Sequence, residues 1–78
     1  MEITSDQIRE ARALLKLSAQ KIADAAGVDL ATVQRCESGK RRTFRAMRNA
    51  IIGALEAAGV QFHEGGVRLR DRPKEAAE

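Results

Sequence analysis

Residues 18–39, SAQKIADAAGVDLATVQRCESG, decide the reading of this chain. Ser18 is a good N-cap residue, because its hydroxyl can accept from an amide of the first helical turn. A short helix is therefore predicted over about 19–26, with Ile22, Ala23 and Ala26 on its buried face. Gly27 follows and supplies a left-handed C′ position without a Cβ penalty. Val28 then reads as an apolar plug in the turn. Asp29 caps a second helix, with its carboxylate expected to accept from the amides of Ala31 or Thr32. Val33 and Cys36 or Glu37 face the core, Leu30, Ala31, Gln34 and Arg35 share the opposite side, and Gly39 closes the helix. Two short helices across a tight turn make a helix-turn-helix unit.

Upstream, Thr4 and Gln7 have capping-box spacing, so a first helix should start near Ser5 and fade near Lys16. Downstream, a longer helix is predicted from Thr43 to about Ala58, with Phe44, Met47, Ile51, Leu55 and Ala58 recurring at spacings of three and four. Gly53 inside it costs roughly 1 kcal/mol against Ala, so close packing is expected there. From Val60 the period changes to two. Val60 and Phe62 alternate with Gln61 and His63, and Val67 and Leu69 with Arg68 and Arg70, around Gly65-Gly66. This is a β-hairpin signal. A lone hairpin is marginal in water, so it must pack on the helices or pair with another chain, and Val60, Phe62, Val67 and Leu69 are the dimerisation candidates. The expected division is 1–59 as the helical unit, 60–70 as the hairpin extension and 71–78, DRPKEAAE, as a disordered polar tail.

Seventy-eight residues allow one small domain, burying only about 60–65% of its unfolded surface. Aromatics are 3%, so the core is aliphatic, and a core this small commonly gains stability by dimerising. One Cys and one His exclude an internal disulfide and make a protein-only zinc site an improbable use of the chain. No metal or other cofactor is expected. With no signal peptide and no apolar run near 18 residues, the expected location is cytoplasmic, at the nucleoid, with no membrane contact. No pair of carboxylates and no glycine-rich phosphate loop is placed for chemistry, so no catalytic residue is assigned.

The net charge of +3 is unevenly spread. Between Arg35 and Arg48 stand six basic residues and one acidic residue, Glu37. A positive patch beside a solvent-facing helix suits a polyanion, and a helix of this kind can enter the DNA major groove.

Arg12 with Leu17-Ser18, then Ile22-Ala23, Ala26-Gly27-Val28, Thr32-Val33 and Glu37-Ser38-Gly39-Lys40, resembles the Cro/repressor-type helix-turn-helix regulators, the xenobiotic-response-element family, over about residues 6–58. The resemblance implies a mainly α, compact four- to five-helix repressor-like DNA-binding domain, here with a short C-terminal β-hairpin or strand. It also implies a homodimer on a palindromic double-stranded operator, with the third helix in the major groove. Carried onto this sequence, it places Leu30, Ala31 and Arg35 at base edges, with Thr32 and Gln34 beside them. It places Ser18, Ala19, Ser38, Lys40 and Arg41 at phosphates and pairs Arg12 with Glu37; Gln20, one residue after the family's usual glutamine, and Arg42, by its charge, complete the expected phosphate contacts. Ala19 stands where the family often has glutamine, and Arg42 leads directly to Thr43 without the usual proline.

Physical chemistry weights these roles. Arg35 can bond guanine O6 and N7 together, Gln34 can pair with adenine, and Leu30 and Ala31 offer apolar contact to a thymine methyl. Lys40, Arg41 and Arg42 supply salt-dependent, sequence-blind affinity. Cys36 reads as a small core residue and His63 as a strand-surface residue. Arg68 and Arg70 belong on the wet face of a strand or extend the basic surface. The competing reading is a protein-interaction module, antiactivator- or antitoxin-like, on the same scaffold with a protein partner. The run Lys40-Arg41-Arg42 counts against it.

Overall fold

The computed structural model describes residues 2–39 and 43–70. Four helices precede one hairpin among the described residues: α1 (Ser5–Leu15), α2 (Ala19–Ala26), α3 (Leu30–Ser38), α4 (Arg45–Ala58), β1 (Val60–His63) and β2 (Gly66–Leu69). The basic run Lys40, Arg41, Arg42 and the tail 71–78 lie outside the described residues.

Local signals set most boundaries. The capping box of α1 is complete: the Gln7 amide donates to Thr4 Oγ1 at 3.1 Å, and the Thr4 amide donates to Gln7 Oε1 at 2.9 Å. α1 ends at Lys16, a non-glycine residue in the left-handed region at φ 57°. Ser18 caps α2 by accepting from the Lys21 amide at 3.1 Å. Gly27 takes φ 74°, and its amide and that of Val28 close onto Ala23 O. Asp29 is the N-cap of α3, but its carboxylate makes no capping bond, contrary to expectation. The first turn is held instead by backbone bonding of the Thr32 amide to Asp29 O at 3.0 Å.

The helices contribute an aliphatic core, as the composition led us to expect, and Phe62 of β1 is its one aromatic member among the described residues. Ile8 and Ala11 of α1, Ile22 and Ala23 of α2, Val33 and Cys36 of α3, and Ile51 and Leu55 of α4 are buried. α4 departs from its predicted stripe. It starts at Arg45 with Phe44 as N-cap, and only Ile51 and Leu55 of the five stripe residues reach the core. Phe44 is 76% exposed, and Met47 and Ala58 also face solvent. A stripe defined by spacing alone runs the length of a helix, whereas the neighbouring elements enclose only its middle turns.

Gly53 is also corrected: a Cβ there would meet nothing within 4 Å. No close neighbour required the glycine.

The hairpin is antiparallel, pairing Val60 with Leu69, Gln61 with Arg68, Phe62 with Val67 and His63 with Gly66. Its turn residues are therefore Glu64 and Gly65, and Gly66 already belongs to β2. Gly65 adopts φ 85°. Val60, Phe62 and Val67 are buried in the same core as the helices, so three of the four dimerisation candidates are enclosed by the chain itself. Leu69, at the open end of the hairpin, stays 52% exposed. The lone hairpin's marginal stability is answered within the chain. Gln7 is buried, and its Nε2 donates to His63 O and Gly66 O, both at 2.8 Å, fastening the turn to α1.

Because Gly53 is a solvent-facing glycine inside a helix, Gly53→Ala is expected to stabilise the chain by about 0.5–1 kcal/mol. Urea unfolding checks this; a lower midpoint would mean that Gly53 meets a neighbour after all.

Candidate nucleic-acid interface

α3 has nine residues, and its rotation about its own axis is fixed by Val33 and Cys36, which point into the core. At 100° per residue the opposite face then carries Ala31, Gln34, Arg35 and Ser38, all exposed, with Leu30 half-buried at its start. Thr32 is corrected. It is 2% exposed and sits on the inner side with Val33, so its side chain does not join the outer face. Arg35 lies one turn further on, and its Nη2 makes a long 3.4 Å bond to Thr32 Oγ1. Arg35 is exposed. The Ser38 hydroxyl donates to Arg35 O at 3.1 Å, so it stabilises the last turn of the helix.

The expected phosphate contacts divide three ways. Ser18 and Ala19 begin α2; Ser18 is exposed, whereas Ala19 is half-buried against the core and offers only its backbone amide. Gln20 is exposed, but its Nε2 donates to Asp24 Oδ1 at 2.9 Å, along its own helix and not across to α3. Lys40, Arg41 and Arg42 fall outside the described residues.

The pairing of Arg12 with Glu37 is present and two-pronged. Arg12 Nε donates to Glu37 Oε2 at 2.6 Å and Nη2 to Glu37 Oε1 at 3.0 Å, while Nη1 donates to Leu17 O at 3.1 Å. One planar cation therefore joins α1, the segment leading into α2, and the end of α3. The Arg12 and Glu37 side chains are 27% and 11% exposed. The hydrogen bond to Glu37 holds the Arg12 guanidinium even more firmly protonated than usual, against the opposing effect of burial.

Arg9 was not assigned from the sequence. Its Nη1 donates to Glu37 O at 2.8 Å, and its Nη2 pairs with Asp6. The usable signal was its position three residues before Arg12, on the same side of a helix. Cys36 is buried, and burial pushes its thiol pKa up despite the nearby charge of Arg48. Such a thiol is poor at forming the reactive thiolate.

Among the described residues no group of three or more His, Cys, Asp or Glu side chains is placed to hold a metal ion, and no helix is long and apolar enough to cross a membrane.

An exposed face on the second helix of a tight pair, braced from α1, defines a helix-turn-helix domain. The family model described as Helix-turn-helix matches residues 8–43, from within α1 to the residues just beyond α3. The match supports a DNA-binding helix-turn-helix regulator of the Cro/repressor, or xenobiotic-response-element, type. Comparison with curated proteins gives no match.

Two expectations follow. Glu37→Ala leaves the half-buried Arg12 cation without its partner and is expected to cost about 2–4 kcal/mol, lowering the thermal midpoint by roughly 10–20 °C. A calorimetric midpoint within 2 °C of the parent, roughly half the shift of even 1 kcal/mol, would show the pair to be ornamental. The raised Cys36 pKa means that the unfolded chain loses its thiol proton before the folded chain does. The contribution of Cys36 to stability is therefore complete below the ordinary thiol pKa of about 8.5 and declines as pH rises through it. Urea midpoints at pH 7 and pH 9.5, compared with those of Cys36→Ala, read this directly: the variant should show the shallower decline.

Proposed function

We propose that the chain is a transcriptional regulator that binds a palindromic operator as a homodimer, laying α3 in the major groove of each half-site. The observation that carries this reading is the contrast between the two sides of α3. Its inner side is locked by Val33, Cys36 and the Arg12–Glu37 pair, and its outer side presents Ala31, Gln34 and Arg35 to solvent. A rigid rod with one polar side and a small apolar start matches the needs of base readout.

In this reading Arg35 takes guanine O6 and N7, Gln34 takes an adenine edge, and Leu30 and Ala31 pack against a thymine methyl. Ser18 and the first amides of α2 meet a phosphate, and Lys40, Arg41 and Arg42 add backbone affinity. Two α3 helices read half-sites about one turn, ~34 Å, apart. Bound dimer acts by occupancy, excluding or recruiting polymerase. The division of labour is sequence recognition by α3 and grip by the flanking cations, with the hairpin's exposed Leu69 available to a second copy.

Selection of bound duplexes from a random pool tests binding, preference and half-site spacing together. The expected product is an inverted repeat. On that sequence Arg35→Ala should cost about 1–3 kcal/mol and relax preference at one base position per half-site. Equal loss on every duplex would demote Arg35 to a phosphate contact, and a pool with no enriched sequence would overturn the reading.

A further inference from the structure

We propose that Arg9 is a positioning residue for base readout: it fixes the tilt of α3 by holding the backbone of Glu37 while Arg12 holds that residue's side chain. The proposal rests on the reading of α3 as the base-reading element.

The carbonyls of the last turn of a helix have no partner within the helix. Gly39 N and Ser38 Oγ serve Arg35 O, and Glu37 O receives Arg9 Nη1 at 2.8 Å. Arg12 grips the Glu37 carboxylate through two bonds. Val33 and Cys36 fix which side of α3 faces inward, but aliphatic packing with a single clamp on a flexible side chain still tolerates a small change of tilt. A second clamp on the main chain of the same residue removes that freedom. Arg9 suits the task because its planar guanidinium has separate donors for two directions, one to Asp6 on its own helix and one to α3. Its positive charge also lies at the negative end of the α3 dipole.

The lever is long compared with the tolerance of readout. Nine residues at ~1.5 Å each make α3 ~13 Å long, so a tilt of ~10° about Glu37 moves its first residues by ~2 Å. Recognition groups must be held within ~0.5 Å of their productive geometry. The loss of Arg9 therefore degrades discrimination by Leu30, Ala31, Gln34 and Arg35 together, although Arg9 itself touches no base.

The test uses the full chain, the duplex it selects from a random pool, and a panel of that duplex with single base-pair substitutions. All affinities are measured well below the unfolding midpoint of each variant. Arg9→Gln is expected to lower the ratio of affinities, selected over substituted, by at least about threefold, a modest value because the Arg9 side chain is half exposed. The slope of log affinity against log salt should stay unchanged, and Arg9→Lys, which keeps a long cationic donor at the same position of α1, should recover part of the ratio. An unchanged ratio overturns the proposal, as does a salt slope reduced by about one, which would make Arg9 a phosphate contact. A parent chain that prefers no sequence overturns the reading of α3 itself, and this proposal with it.

Discussion

The interaction on which the rest depends is the grip of α1 on the end of α3 through Arg12 and Glu37. In full solvent such a pair contributes little. Here both side chains are largely enclosed, the geometry is two-pronged, and the third donor of Arg12 satisfies Leu17 O at the entrance to α2. Removing either member leaves a partly desolvated charge without its counter-ion, which is why the pair acts as a constraint more than as a bonus. Together with the bond from Arg9 to Glu37 O, it ties α1 to α3 and to the segment entering α2, across packing that is otherwise aliphatic and therefore tolerant of small slides.

The aliphatic core gives this constraint its importance. Leu, Ile, Val and Ala bury area efficiently but carry no directional contacts. Register and tilt must then come from polar fixtures at the margin. Two such fixtures emanate from α1. Arg9 and Arg12 secure Glu37, and Gln7 secures the hairpin turn through His63 O and Gly66 O. α1 thus organises the molecule through its inner side, while Asp6, Glu10, Ala13 and Leu14 on its outer side stay exposed. The hairpin, held this way, adds Val60, Phe62 and Val67 to a core too small to ignore them.

Short-range features of the fold were legible in the residue order. Thr4 and Gln7, Ser18, Gly27 and Gly39 each set a boundary through interactions spanning at most four residues, and the boundaries of α1, α2 and α3 followed. The outer face of α3 was legible too, since helical period fixes which residues oppose Val33 and Cys36. Thr32 was the exception. It lies between Cys36 and Arg35 on the wheel, at the border between faces, and only the packing around the helix decides to which side a border residue falls. The same limit explains α4, where Phe44 and Met47 share the apolar spacing of Ile51 and Leu55 but not their cover.

By itself the sequence determined which segments are helical, which two make the tight pair, and which side chains stand on the outer side of the second one. Those properties arise from caps, glycine conformation and periodicity, all of them local. Only the tertiary structure decided that the hairpin closes onto its own helices, that Gln7 holds its turn, and that Arg9 reaches the backbone of Glu37. Those contacts join residues 28 to 59 positions apart. No pattern of spacing encodes them, because they exist only once the packing of the core has brought the helices and hairpin together.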